Sequence, residues 1–492
     1  MERLTFNIGS SRTPVVAGRS VARQTGSSQP APAASPFAGV TPRAAIRERY
    51  DWDYLWMLAF TTLLFFRPQD QIPGLAALHL SELTAIAGLA AMAVRRLSSG
   101  KTITHVNAEV IGVVALGAIL VLTLPFSIWP GGSLTVFSDI YVKIILIFAL
   151  MISTITSPRR VRQMTWIMII ASGYIASRAV FDYVRGVNLV EGDRVRGAVG
   201  GMFENPNDLA LNLVTFLAPT LFIIFQDKKA SRRLLACAIA AAMVAAIVCT
   251  KSRSGFLGLI AMGAVVLFYL SRVKPGVVVA AMLAALMALP VMPSSFWDRM
   301  DSIVNADEDQ SGSRAARLRL IDQGVSVFLE NPLTGIGAGQ FKNYNAPGVV
   351  EKWRVTHNVW LQVATELGVF GLLTFAFLVV RAYAASFAAL RMLRGRSKPR
   401  APSPNRGVPP AEPQFELSKE DRNILEINAK GMIAAMVGWT ICAFFASVAF
   451  NWTFYYVFAL AVAGREIVAS RRLASAPATT TVPATRLVRA HA

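Results

Sequence analysis

The stretch that decides the fold is residues 207–271, NDLALNLVTFLAPTLFIIFQDKKASRRLLACAIAAAMVAAIVCTKSRSGFLGLIAMGAVVLFYLS. Its three apolar runs are 207–226, 233–250 and 254–271. Each run is close to the about 20 residues that an α-helix needs to cross a bilayer. The connections are short and basic, at 227–232 and 251–253. The pattern therefore predicts three consecutive membrane-spanning helices.

The same pattern extends over most of the chain. Counting outward from this stretch gives twelve apolar segments: 52–66, 75–94, 108–128, 136–156, 163–184, 207–226, 233–250, 254–271, 276–293, 358–381, 430–450 and 453–470. Of the 492 residues, 54% are hydrophobic and 16% are charged, whereas soluble domains average about 25% charged residues. This composition argues against a soluble enzyme. The sequence predicts an all-α polytopic integral membrane protein with about 12 transmembrane helices.

Lysine and arginine set the expected orientation. With the N-terminus in the cytoplasm, 33 of the 49 Lys and Arg residues fall in inside segments and 13 fall in outside segments. Inside loops of membrane proteins carry such an excess. We therefore expect both termini to be cytoplasmic. The net charge of +20 is then explained by anchoring loops, and no nucleic-acid partner is predicted.

The ends and the two longest loops complete the predicted organisation. Residues 1–50 are rich in Ser, Pro, Ala and Arg and are predicted to be a disordered cytoplasmic tail, as are residues 471–492. Between them we expect spans one to nine over 51–293, an ordered periplasmic loop over 294–357 before span ten, and spans ten to twelve over 358–470. The last region includes a Pro-rich cytoplasmic linker at 391–429.

A histidine stands where the long outer loop enters the tenth span. His357 lies in RVTHNVWLQVATELGVFG, and a neutral imidazole at a wet interface can act as a base near pH 7. The alternative is that His357 only caps or anchors the helix. Glu366, two turns further along the same span, is expected to face the protein interior.

Several arginines are predicted on the outer face, against the usual charge bias. Arg194 and Arg196 precede the sixth span, Arg253 lies in the tight turn TKSRSG, and Arg317 lies on a helix-like stretch of the outer loop. A guanidinium is a planar fork that suits phosphate oxygens. The alternative is that these cations extend to lipid headgroups. Arg67, at the outer end of span one, is a further headgroup or phosphate contact.

The motifs of several other enzyme classes are missing. The chain has no GxxxxGK[ST] loop, and its four histidines and three cysteines are too sparse and too apolar in setting for a zinc enzyme. Neither a metal nor a cofactor is predicted. An activated substrate would then have to arrive in the membrane.

The residues resemble one known family. His357-Asn358, nine residues, Gly368, two residues and Gly371 fit the pattern H-[NSQ]-x9-G-x-x-[GTY] of bacterial O-antigen ligases. Three further stretches are similar to that family: RGAVGGMFENPND at 196–208, TKSRSG at 250–255 and RLRLIDQGVSVFLENPLTGIGAGQFKNY at 317–344. The resemblance covers most of the region from 190 to 371.

The resemblance implies an activity. Members of the family move a glycan from undecaprenyl pyrophosphate to an acceptor at the outer face of the inner membrane, in the biosynthesis of lipopolysaccharide and related polysaccharides. It implies that His357 is the general base and that Arg196 and Arg253, with Arg194 and Arg317, bind the pyrophosphate. The implied partners are the lipid-linked donor, a lipid A-core, protein or glycan acceptor, and membrane lipids.

Two alternatives remain at this stage. A polymerase that joins lipid-linked repeats would use the same residues. A transporter on the same helical body would instead need discontinuous helices and ion-binding carboxylates near the membrane midplane.

Overall fold

The computed structural model describes residues 51–272 apart from 69–71, 73, 101, 103, 192 and 199–202, scattered residues between 275 and 301, and residues 313–344, 354–395 and 417–474. Its long helices are α1 Trp52–Phe66, α2 Leu80–Leu97, α3 Ala108–Leu122, α4 Pro130–Thr154, α5 Pro158–Val184, α6 Pro206–Gln226, α7 Ala230–Thr250, α8 Arg253–Ser271, α9 Ser313–Glu330, α10 Val359–Arg394, α11 Lys419–Ala443 and α12 Trp452–Ala474. Short 3₁₀ turns lie at Leu75–Leu78, Leu124–Phe126 and Phe341–Asn343.

Seven of these helices are long and apolar enough to cross a membrane: α4, α5, α6, α7, α8, α10 and α11. Two more, α1 and α3, are apolar but have only 15 residues each. Within the described ranges the structure is thus all-α, save for one two-stranded hairpin of β1 Leu189–Val190 and β2 Arg194–Val195. The total of twelve spans stays a prediction, because most of the ninth segment, 276–293, lies outside the described residues.

Six of the described helices begin at a residue whose side chain caps them. In each case a Ser or Asn side chain accepts a hydrogen bond from a backbone N–H of the first turn, which has no partner inside the helix. The capping residues are Asn107, Ser157, Asn205, Ser252, Asn358 and Ser418. Proline follows the cap in α5 and α6, at a position where its missing N–H costs nothing.

The centre of the bundle is formed by α6, α11 and α12. Most residues in the apolar windows of α6 and α11 are buried within the protein, whereas more than half of those in α7 and α8 are at least partly exposed. Leu234 on α7 and Leu373 on α10 are examples of large apolar side chains that are exposed. An outer surface of this kind suits contact with lipid.

The predicted cytoplasmic linker is shorter in the structure. Helix α10 continues to Arg394 and α11 begins at Lys419, so both ends of the segment predicted at 391–429 are helical. Two causes are visible. Arg391 and Arg394 stand in the last turn of α10, where cations are favoured, and Ser418 caps α11. Helix α12 likewise continues to Ala474, so the first four residues of the tail predicted at 471–492 are helical. The middle of the linker, the predicted tail at 1–50 and the rest of the C-terminal tail lie outside the described residues.

Candidate functional site

The backbone at His357 places its side chain at the mouth of α10. Asn358 caps the helix, and its Oδ1 accepts hydrogen bonds from the N–H groups of Trp360 (2.9 Å) and Leu361 (3.0 Å). His357 itself has a φ of 48°, in the left-handed region that is rare for residues other than glycine. Its N–H donates to Ser447 Oγ at 3.0 Å, in the connection between α11 and α12. Two parts of the chain therefore fix this one residue.

His357 faces a cavity of about 220 Å³ that its own segment, 356–358, shares with three others. The start of α8, the helix α9 and the connection after α11 form the other walls. The lining residues are Arg253, Ser254, Leu257, Arg317, Leu318, Ile321, Thr356, His357, Asn358, Phe444 and Phe445. The structure thus brings two of the arginines named from the sequence, Arg253 and Arg317, into one cavity with His357.

The imidazole of His357 is held in its neutral form. Burial, followed by the positive charges of Arg317 and Arg354, lowers its pKa to about 4, and the Glu191 carboxylate opposes part of this shift. The ordinary value is about 6.5. At neutral pH the ring therefore has a nitrogen lone pair available to accept a proton.

Arg253 is the first residue of α8. The preceding residue, Ser252, caps the helix by accepting a hydrogen bond from Gly255 N–H at 3.1 Å. The N-terminus of a helix carries a partial positive charge that attracts anions. The guanidinium of Arg253 adds to this field at the wall of the cavity.

Arg194 and Arg196 have different positions. Arg194 is 3% exposed, and its guanidinium donates to Thr250 O (3.0 Å), Glu191 (2.6 Å) and Asn207 Oδ1 (2.8 Å). Asn207 also accepts from Ser252 Oγ at 2.7 Å. Arg194 thereby braces the turn that carries Arg253.

Arg196, two residues further on, is exposed and does not line the cavity. Its backbone N–H donates to Asn188 O at 3.0 Å, at the end of the hairpin.

Helix α10 is broken at Gly368, and the loop after α9 fits into the break. Gly368 has φ 67° and ψ −167°, which an L-residue rarely adopts. The break leaves Val369 N–H to donate to Pro332 O at 2.8 Å. A side chain at Gly368 would collide with the carbonyl of Leu333.

Further contacts hold this loop beside the break. Ile336 N–H donates to Thr365 O at 2.9 Å, and Gly337 N–H donates to Glu366 O at 3.0 Å. The Glu366 carboxylate, 4% exposed, accepts from Gly339 N–H at 2.8 Å. Glu366 therefore holds the loop in place and does not itself line the cavity.

These contacts give the spacing of the histidine motif a physical meaning. The cap at Asn358 starts the helix beside His357, and the break at Gly368 receives the loop that follows α9. Helix α9 carries Arg317 and approaches α10 closely at Gly324, where an added Cβ would lie 2.5 Å from Leu361 Cδ2. The motif thus fixes Arg317 relative to His357. Gly371 is buried one turn after the break, where an added Cβ would collide with the side chain of Leu367.

Arg67 lies at a different cavity. This cavity, of about 550 Å³, is lined by residues of α1, α2, α4 and α12, with His79, Glu82, Asp139 and Lys143 among them. Lys143 Nζ donates to Glu82 at 3.1 Å there. The structure does not bring Arg67 to the cavity of His357.

The sequence reasoning missed several neighbours of His357. Arg354 precedes it by three residues and could have been found from that spacing, whereas Glu191 and Ser447 are distant in the chain. Phe444 and Phe445, which line the cavity, looked like ordinary apolar residues. Among the described residues, no three His, Cys, Asp or Glu side chains form a group that could hold a metal.

Comparison with known proteins bears on the same region. A family model described as O-antigen ligase matches residues 213–376. Over these residues, about a third of its length, the chain is similar to the O-antigen ligase family. The matched segment contains Arg253, Arg317, His357 and Gly371, and begins after Arg194 and Arg196. No curated protein matches the chain. This similarity and the seven apolar helices together support a multi-pass membrane protein with an O-antigen ligase or polymerase type of function.

Proposed function

We propose that this protein transfers a glycan from undecaprenyl pyrophosphate to an acceptor hydroxyl at the periplasmic face of the inner membrane. The observation that carries the proposal is the cavity in which a neutral His357 meets Arg253 and Arg317. A base and two phosphate-binding cations are the groups that such a displacement needs. The same proposal puts both termini in the cytoplasm.

The reaction divides between these side chains. His357 takes the proton from the acceptor hydroxyl, and the oxygen attacks the anomeric carbon of the donor sugar. The bond between that carbon and the pyrophosphate oxygen breaks, and its electron pair leaves with the pyrophosphate. Arg253 and Arg317 stabilise the charge that develops on this leaving group. A single displacement inverts the anomeric centre.

The donor itself tunes the base. In the protein alone, Arg317 contributes to the low pKa of His357. A pyrophosphate bound beside Arg317 would offset that positive charge, because an adjacent anion favours the protonated imidazole. The proton affinity of His357 therefore rises when the donor arrives, and this favours transfer only in the complex.

The walls of the cavity suit a polyprenyl carrier. Leu318 and Phe444 line it and are more than half exposed, and Ile321 is also exposed. These apolar side chains can contact the chain of a lipid-linked donor while the arginines hold its headgroup. We propose only that the acceptor carries a hydroxyl group. A lipid A-core, a protein or a glycan would each meet this requirement.

The test is complementation of a deletion strain. Wild type, His357→Gln and the matched control His105→Gln, at an exposed histidine outside the lining of the cavity, are expressed at equal membrane levels. Both the surface glycan and the undecaprenyl-linked intermediate are blotted. We expect His357→Gln to stop transfer and to accumulate the lipid-linked glycan. Long accumulated chains indicate a ligase, and single repeats indicate a polymerase. Full transfer by His357→Gln contradicts the proposal and favours a transporter.

A further inference from the structure

A second cavity lies at the end of the bundle opposite to His357. Helix α11 runs from one cavity to the other: Glu420 and Asn423 in its first turns line the second cavity, and Phe444, just after its end, lines the first. The 25 residues of α11 span about 37 Å at 1.5 Å per residue. This second cavity, of about 280 Å³, is therefore remote from the proposed reaction.

Its rim is positively charged. The lining side chains include four cations, Arg162, Lys228, Lys229 and Arg232, against the carboxylates of Asp227 and Glu420. Two ion pairs cross the rim, Arg162 to Glu420 at 2.6 Å and Arg232 to Asp227 at 3.4 Å. A surplus of two positive charges remains.

Three helices add to this field. Helices α5, α7 and α11 all begin beside the cavity, and each contributes a first-turn or capping residue to its lining: Val161, Lys229 and Glu420. The N-termini of helices carry partial positive charge and unpaired N–H groups. Converging helix starts, together with the cations, favour an anion.

The floor of the cavity is apolar and holds one unsatisfied polar atom. Ile223, Ile424, Ile427 and the half-buried Trp166 form this floor. Asn428, 3% exposed, donates to Leu460 O at 3.0 Å, but its buried Oδ1 accepts no hydrogen bond from the described residues. A ligand donor such as a hydroxyl would satisfy this oxygen.

We infer that this cavity binds the phosphate-bearing headgroup of an anionic phospholipid in the leaflet opposite to His357. The cations and helix starts hold the phosphate, and the apolar floor with Trp166 receives the start of an acyl chain. Basic pockets between transmembrane helices bind anionic lipids by this means. A soluble phosphate would use the rim but leave the floor in contact with water. The site is independent of the proposed glycan transfer.

The test is lipid binding to the purified full-length chain in a neutral detergent. Native mass spectrometry counts bound phosphatidylglycerol or phosphatidylcholine with the same acyl chains. The pocket variant combines Lys228→Gln, Lys229→Gln and Arg232→Gln. The control variant combines Arg272→Gln, Arg391→Gln and Arg394→Gln and removes three cations from the same end of the bundle. We expect the wild type and the control to prefer phosphatidylglycerol, and the pocket variant to bind it about tenfold more weakly.

A second measurement does not depend on the pocket variant and therefore tests the inference even if that variant misfolds. Brominated phosphatidylglycerol should quench the fluorescence of the wild type more than brominated phosphatidylcholine does, and Trp166→Phe should remove this difference. Equal losses in the pocket and control variants would overturn the inference, as would equal quenching by the two lipids. Displacement of the lipid by millimolar inorganic phosphate would overturn the assignment to a lipid in favour of a soluble anion.

Discussion

The backbone N–H of Gly339 donates a hydrogen bond of 2.8 Å to the carboxylate of Glu366, beside the point where α10 breaks at Gly368. This bond joins the loop that follows α9 to the helix that begins at His357. The two halves of the candidate site, Arg317 on α9 and His357 before α10, are therefore held together by residues that do not line the cavity.

The break in α10 should require glycine. We expect Gly368→Ala to lower the free energy of unfolding by more than about 2 kcal/mol, because a non-glycine residue at positive φ costs about 1–3 kcal/mol and the new methyl group collides with Leu333. The melting temperature of the purified protein measures this effect. The control is Gly263→Ala on α8, where an added Cβ meets nothing within 4 Å. Equal melting temperatures for the two variants would show that the break is dispensable.

Substitution of Arg194 should lower the stability of the protein, whereas substitution of Arg253 should lower the rate of glycan transfer. Arg194→Ala removes three hydrogen bonds from a buried guanidinium and should destabilise the protein by about 2–4 kcal/mol. Arg196→Ala, its exposed neighbour, should leave the melting temperature unchanged. Unaltered stability in Arg194→Ala would remove its proposed bracing role.

Arg253→Gln should instead reduce transfer about 10²–10³-fold while the protein keeps its fold, because it removes a group that stabilises the leaving charge. The measurement is the rate of glycan transfer by reconstituted protein, with the melting temperature recorded beside it. Wild-type rates in Arg253→Gln would contradict a direct contact with the donor.

The dependence of glycan transfer on pH should reflect the lowered pKa of His357. Its pKa of about 4 lies below the ordinary value, so the imidazole stays neutral as the pH falls from 7 to about 5 and is protonated near 4. The profile of kcat/KM, which reports the free enzyme, should therefore be flat over that range and fall only at the acid end. Arg317→Gln removes one cause of the low pKa and should move the acid limb to higher pH. An acid limb that does not move would exclude this coupling.

The orientation has its own test. Alkaline phosphatase fused after residue 340 should be active, because we place the loop of α9 in the periplasm, whereas a fusion after residue 395, between α10 and α11, should be inactive. The reverse result would place His357 in the cytoplasm and exclude a periplasmic reaction.

Local patterns in the sequence predicted much of this structure. Runs of apolar residues predicted the helices, since each run must satisfy its own backbone within lipid. The apolar segment predicted from residue 358 begins as α10 at Val359, because capping by Asn358 is a local property. The break at Gly368 was not predicted, because it depends on the loop after α9. The helix-like stretch from Arg317 is likewise part of α9.

The partners of the arginines could not be predicted in this way. Arg194 and Arg196 are only two residues apart, and what separates them is contact with Thr250 and Asn207, far along the chain. Arg67 looked equivalent to the other outer cations, but the packing of α1 against α2 and α4 directs it to another cavity. Long-range packing decides which cavity or partner each arginine reaches, and the spacing of residues in the sequence does not reveal it.

The most direct measurement is glycan transfer by the purified, reconstituted chain supplied with an undecaprenyl-pyrophosphate-linked glycan and an acceptor, with transferred glycan and released undecaprenyl pyrophosphate quantified together. Our account predicts equal amounts of both products with wild type, and donor binding without either product with His357→Gln. Transfer at the wild-type rate by His357→Gln would contradict the assignment of His357 as the base.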